Sequence, residues 1–356
     1  MRILFSGYAP VHFLCFKPLY DRLREITGTE IDLSGGMRTK SSHAPGGYLY
    51  DHESMYRHFD LPEGAVRSVG SLAKADYDVM FAANTRRIEP RRVRERVQIF
   101  HGMSFRNRAI RPEIDGADHY FLFGPYMKRG FEDSGILAAD DPRGVDIGFP
   151  KTDRLLDGSL DRAEMLALHG VRGDRPVVLY APTGERHNSM ETMGEELIAK
   201  LGAVDRYDLL VKPHDHPHST IDWWERLAPL ETEHIRLVHE RDVIHTMSIA
   251  DLLITDASSV ANEYTLLDRP IVFIDVPELF ELTLRKHARL DLQTWGRRGG
   301  EVADGVSEAL DAVESGLADP GARSDVRRAI VADLFFNPGH ATDAAMDWIR
   351  RELEWT

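Results

Sequence analysis

Short apolar runs alternate along this chain with stretches in which apolar side chains recur every third or fourth position. The runs have the pattern of strands buried on both faces of a parallel sheet, and the periodic stretches that of amphipathic helices. A strand is predicted at 3–6, with Gly7-Tyr8-Ala9-Pro10 as the turn after it, and a helix at 12–24 with Phe13, Phe16, Leu19 and Leu23 inward. Further strands are predicted at about 30–33, 76–82, 97–100, 119–123 and 145–149, with helices over the arginine-rich 85–97 and over 125–134. Residues 34–60, with Gly35-Gly36, Ser41-Ser42-His43 and Gly46-Gly47, predict a long loop, and loops of that length are usually functional or mobile. After a charged segment at 150–174 with one helix near 160–168, strands are predicted at 176–182, 208–211, 235–238, 252–255 and 271–274. Helices near 192–201, 220–227 and 242–250 separate them, and two or three helices finish the chain from 302 to 355. Strand and helix in alternation predict two doubly wound α/β halves in tandem, with a ligand between them.

Composition narrows this picture. The 356 residues are enough for two domains, and the 42% hydrophobic and 29% charged fractions are those of a globular protein. No apolar run approaches the ~20 residues of a membrane span. Met1-Arg2-Ile3-Leu4-Phe5-Ser6 leads straight into a strand, so no signal peptide is expected, and the single cysteine, Cys15, suits the cytosol. A net charge of −14 disfavours nucleic acid as a partner, because phosphate neutralisation needs concentrated Lys and Arg. The arginines between Arg86 and Arg96 run against that trend. They form either a solvated helix face or a patch for peripheral contact with anionic lipid or a phosphorylated acceptor.

The polar turns carry the candidate chemistry. In 251–270, Leu252 to Thr255 reads as a buried strand closed by Asp256. Ser258 and Ser259 then open a helix with Val260, Tyr264 and Leu267 on one face, and Arg269-Pro270 stops it. A polar turn at the carboxyl end of a strand is where open α/β sheets bind ligands, and the start of a helix attracts an anion. One serine there would be an N-cap worth about 1 kcal/mol. Two in tandem, with Glu263 one turn later, favour a phosphate-and-ribose site. His101, followed by Gly102, also ends a strand, and with a reference pKa near ~6.5 it could take a proton from a hydroxyl. The plain alternative is a histidine that caps its turn. Lys212-Pro213-His214 and the turn bearing Thr183, Gly184 and Arg186 end two more strands with groups suited to phosphate, or are ordinary βα turns. His214, His216 and His218 alternate as metal ligands can, but every candidate ligand is local, so no metal and no cofactor are expected.

In this order the turns resemble the CDP-glycerol glycerophosphotransferase family, the polymerases and primases of teichoic-acid-like cell-surface polymers. That family has a strand ending in His-Gly, a Tyr-Ala-Pro-Thr turn, a Lys/Arg-x-His turn, and Asp-x-Ser-Ser before a helix running into Asp-(Lys/Arg)-Pro. The chain supplies His101-Gly102, Tyr180-Ala181-Pro182-Thr183, Lys212-Pro213-His214, Asp256-Ala257-Ser258-Ser259 and Asp268-Arg269-Pro270. Gly148-Phe149-Pro150-Lys151-Thr152-Asp153 resembles the family's Gly-x-Pro-x-x-Asp link. The resemblance covers roughly 97–350. The opening of the chain, through Pro10-Val11-His12-Phe13 and Phe16-Lys17-Pro18-Leu19, instead resembles that of GT-B sugar transferases and epimerases generally.

The resemblance implies an α/β, GT-B-like fold: two Rossmann-like parallel-sheet domains facing a cleft, with C-terminal helices. It places an acceptor domain over 1–155, a nucleotide-donor domain over 172–335, and a helix over 336–356 that packs back on the first domain. His101 would be the base, and His214, Ser258 and Ser259 would hold the diphosphate. Lys212, Thr183, Gly184, Arg186 and Asp256 would line the donor site, with Glu263 near the ribose, while His12, Arg106 and Arg108 would lie on the acceptor side. The implied activity is metal-independent transfer of glycerol phosphate, or another alditol phosphate, from a CDP-linked donor to a polymer or lipid-linked acceptor. It would take place in the cytoplasm or at the inner face of the membrane. A GT-B glycosyltransferase with a nucleotide-sugar donor and a UDP-sugar 2-epimerase-like enzyme are the alternatives.

Overall fold

The apolar runs form two parallel sheets of six strands each. The computed structural model describes residues 1–42, 48–83, 88–103, 110, 114, 116–214, 221–287, 291–292 and 294–353. The chain divides into two units, the first made of Met1–His101, Ala109–Asp153 and Phe335–Thr356, the second of Gly102–Arg108 and Arg154–Leu334.

The strands of the first unit are β1 (Arg2–Gly7), β2 (Glu30–Gly35), β3 (Met37–Lys40), β4 (Tyr48–Asp51), β5 (Asp76–Ala82), β6 (Arg92–Gln98), β7 (His119–Leu122) and β8 (Gly144–Asp146). Six of them lie in the order β2-β1-β5-β6-β7-β8, all parallel, and β3 and β4 pair separately as an antiparallel hairpin. Ile3 and Phe5 of β1 lie beside Val79 and Phe81 of β5. Their side chains meet Phe13, Phe16 and Leu19 of the helix Pro10–Arg24 in one buried cluster. The last helix, Ala341–Glu352, adds Ala345, Met346, Trp348 and Ile349 to the same cluster. Two residues of the Gly-x-Pro-x-x-Asp segment seat it. Gly148, at φ +98, leaves room for the carbonyl of Phe336, which a Cβ there would meet at 2.2 Å. Asp153 accepts hydrogen bonds from the backbone N–H groups of Ala341 (3.0 Å) and Thr342 (2.7 Å), a carboxylate at a helix start.

Two expectations for this unit are overturned. The arginine-rich segment is not a helix: Arg92-Val93-Arg94-Glu95-Arg96-Val97-Gln98 is β6, with Val93 and Val97 buried and Arg92 and Arg94 exposed, so period two prevails. Its charges are largely paired: Arg91 with Asp76, Arg96 with Glu89 at 3.3 Å, and Arg94 with Glu95 at 3.9 Å. Arg86 and Arg87 lie outside the described residues. The stretch 34–60 is also not a bare loop, since it holds the β3–β4 hairpin and the short helix His52–Tyr56.

The second unit contains β9 (Val177–Tyr180), β10 (Asp208–Val211), β11 (Ile235–Leu237), β12 (Leu252–Thr255), β13 (Ile271–Ile274) and β14 (Glu301–Ala303) in the order β11-β10-β9-β12-β13-β14. This is the Rossmann order, and the strand order reverses between β9 and β12. Alternate residues serve opposite faces. Val178, Tyr180, Leu252 and Ile254 meet Leu197, Ile198 and Leu201, while Val177, Leu179 and Leu253 meet Ile244, Met247 and Tyr264. Each such buried side chain contributes about 1.5–3 kcal/mol. Strand β14 was not predicted, for it is three residues long with two of them exposed and carries little apolar signal. The helices Val306–Ala318, Ser324–Leu334 and Ala341–Glu352 complete the chain.

Candidate active site

In the second unit the turns after β9 and β12 flank the reversal of strand order, and one carboxylate joins them. Asp256, fully buried at 0% exposure, ends β12. Its Oδ1 accepts the N–H groups of Thr183 (2.8 Å) and Ala257 (2.6 Å); its Oδ2 accepts the N–H and the hydroxyl of Ser189, both at 2.9 Å. Burial pushes this carboxyl's pKa up, while the four donated bonds pull it down. Asp256 therefore ties the two turns of the expected donor site to each other.

The tie shapes what remains available. Thr183 is buried, Gly184 half-buried, and Arg186 exposed with no ion pair or hydrogen bond among the described residues. Ser259 occupies the N-cap position of the helix Val260–Tyr264 without a side-chain capping bond. Ser258 accepts only a long 3.4 Å bond from the N–H of Val260, so capping is a minor part of what the serines do. Glu263 is 2% exposed, and its Oε1 lies 4.0 Å from where a Cβ on Gly102 would stand. Beside these serines, Asn262 donates to the carbonyl of Met103 at 2.8 Å. Gly102, at φ +151, passes so close that a Cβ there would lie 2.9 Å from the Ser259 hydroxyl. Asn262 and Ser189 carry no motif signal in the sequence and were not anticipated.

After β10, His214 is exposed and Lys212 is half-buried, its ammonium donating to the carbonyl of Glu240. A polar network fixes that carbonyl: Glu240 bonds His245, Arg154 bonds His245 and Asp242 (2.6 Å to the latter), and His169 lies 3.5 Å from Glu240. His216 and His218 lie outside the described residues.

In the first unit His101 follows β6 and is exposed. Its ring stacks on that of His12, with centroids 4.4 Å apart and planes 29° from parallel. His12 is 1% exposed, and its Nδ1 accepts the Tyr8 N–H at 3.2 Å. Burial, and secondarily the neighbouring His101, hold the His12 imidazole well below the ordinary histidine range. His12, expected on the acceptor side, is buried against the His101 ring. Arg106 and Arg108 lie outside the described residues.

Two doubly wound parallel sheets in tandem, the second in Rossmann order with hydroxyl and basic groups at its strand ends, define a GT-B-like architecture. Residues 60–343 match the CDP-Glycerol:Poly(glycerophosphate) glycerophosphotransferase family, and the chain belongs to it. It is 30% identical over 147 residues to the teichoic acid poly(glycerol phosphate) polymerase of Staphylococcus epidermidis, a match that takes in 38% of this chain and 19% of that polymerase. Among solved structures it is similar to the wall teichoic acid polymerase TagF, with a TM-score of 0.66 at 16% identity over 99% of this chain and 89% of that one. A UDP-N-acetylglucosamine 2-epimerase shares the fold at a TM-score of 0.55 and 12% identity, over 98% of this chain and 95% of the other. No helix among the described residues is long and apolar enough to cross a membrane.

Proposed function

We propose that this chain transfers glycerol phosphate, or another alditol phosphate, from a CDP-activated donor to a polymer or lipid-linked acceptor. The observation that carries the reading is the tie at Asp256. It locks the Tyr-Ala-Pro-Thr turn to the Asp-x-Ser-Ser turn at the strand-order reversal, where a Rossmann sheet takes its nucleotide. In this scheme the second unit holds the donor. Ser258, Ser259, His214, Lys212, Arg186 and the turn bearing Thr183 and Gly184 meet the diphosphate. The first unit serves the acceptor, and Arg106 and Arg108, which lie outside the described residues, are assigned to the acceptor by the family pattern alone.

An acceptor hydroxyl attacks the β-phosphorus, its proton passes to His101, and the bond from that phosphorus to the bridging oxygen breaks to release CMP. Catalysis is then mostly positioning and electrostatic stabilisation of the phosphoryl oxygens. The scheme invokes no metal and no cofactor. Peripheral contact with anionic lipid through Arg86–Arg96 has less support, because Arg91 and Arg96 already hold carboxylates.

The test is turnover of CDP-glycerol by wild type, His101→Ala and His214→Ala. His101→Ala should lower kcat by ~10²–10⁴ with CDP affinity near wild type, and His214→Ala should weaken CDP affinity as well as rate. Retained activity in His101→Ala removes the base assignment. Protection by UDP or GDP in place of CDP turns the reading towards the glycosyltransferase or the epimerase.

A further inference from the structure

We infer that His12 is a positioning residue for His101: its buried ring, held in one orientation by the turn after β1, is the surface on which the exposed His101 ring is set. The inference rests on the reading of His101 as the base. The backbone N–H of Tyr8 donates to Nδ1 of His12, so that nitrogen must be the acceptor and the ring proton of the neutral imidazole sits on Nε2. Any side chain at position 7 would strike the ring, since a Cβ on Gly7 would come within 2.6 Å of the His12 Cβ and 3.1 Å of Nδ1. Glycine there is what lets His12 lie against the turn. The Tyr8 ring packs edge-on to His12 at 4.1 Å and stands 6.3 Å from His101. Tyr8 and His101 are the titratable rings that meet His12 among the described contacts.

The arrangement answers a problem of exposed bases. A surface imidazole turns about two side-chain bonds and spends little time aimed at one proton, and a broad ring face removes much of that freedom. When His101 takes its proton, the π-face of His12 meets a cation, which is attractive. A second proton on His12 would cancel this by repulsion and would break the bond from Tyr8. Burial and the His101 charge both oppose that proton.

The test is a double-mutant cycle read as CMP release from CDP-glycerol. His12→Ala should lower kcat by ~10–100-fold with CDP affinity unchanged, and His12→Phe, which keeps an aromatic face though it loses the acceptor for the Tyr8 N–H, should recover most of it. In a His101→Ala background, His12→Ala should cost nothing further. An equal loss in both backgrounds would make His12 merely structural and overturn the inference. Carbon-13 labelling of the histidines gives a second readout that does not depend on activity. The His12 resonance should not titrate between pH 5 and 8, and the His101 resonance should move in His12→Phe. If His101→Ala keeps activity, the base reading fails by itself. Unmoved His101 resonances, or a His12 that titrates like an ordinary histidine, would sink the positioning role.

Discussion

The strand ends of the two units are built on opposite plans. In the second unit a buried carboxylate collects four donors and freezes two turns, so the groups left over, backbone and serine hydroxyls, are preset. In the first unit an exposed imidazole is stacked on a buried one, which the turn after β1 holds through the Tyr8 N–H. The contrast follows the tasks proposed for them. A diphosphate is large and highly charged and is best met by fixed dipoles, whereas a base must lose and gain a proton in contact with water.

Breaking the tie should have the largest effect. Asp256→Ala leaves the N–H groups of Thr183, Ser189 and Ala257 without their acceptor, and removing one partner of a buried charged network costs about 3–5 kcal/mol. The melting temperature should fall sharply and stabilisation by CDP should vanish. An unchanged melting temperature would show that the turns hold themselves. The Ser258→Ala, Ser259→Ala double variant should fold normally yet lose the nucleotide effect. That effect is about 2.7 kcal/mol at a hundred times Kd, and a thermal shift series in CDP and CMP reads it. Equal shifts with and without the hydroxyls would reduce the serines to capping groups.

The first unit is probed by acid. A histidine whose folded pKa lies below its unfolded ~6.5 is protonated sooner in the unfolded chain. Its contribution is therefore complete above that pH and is lost as pH falls below it, by up to about 1.4 kcal/mol per pH unit. His169, lowered chiefly by burial, adds a loss of the same sign. Between pH 7 and 5 the melting temperature of His12→Phe should fall less than that of wild type, and parallel slopes would mean that His12 is protonated in the fold. The smallest effect is expected at β6. Charge reversal at Arg92 and Arg94 should leave binding to acidic vesicles at low salt unchanged. A steep, salt-sensitive loss would restore lipid contact there.

Much of the fold was legible because buried parallel strands announce themselves: Val177–Tyr180, Leu252–Thr255 and Ile271–Ile274 are wholly buried and almost wholly apolar. The family was legible for a related reason, since its motifs sit at strand ends, where backbone geometry restricts which residues fit. The arginine-rich stretch misled because charge density drew attention from its two-residue period, and β14 was too short to register. At the candidate site the sequence brought Thr183, Ser258 and Ser259 to neighbouring turns but could not tell a ligand from a tie. An Asp that closes a strand looks the same whether its carboxylate faces solvent or four internal donors. The stacking of His12 on His101 joins two residues far apart in sequence with no periodicity to connect them.

The seating of the last helix by Gly148 and Asp153 bears on how the protein is made. The first unit's core needs Met346, Trp348 and Ile349, which leave the ribosome long after Asp153. At ~5–20 residues per second, the delay is on the order of 10–40 s. Throughout that interval the apolar face awaiting the helix is unfinished, while nearly all of the second unit, drawn from one unbroken stretch after Arg154, emerges without such a wait. The order of completion in the cell should thus invert the order of the sequence, and the half begun first should be the one that chaperones hold longest.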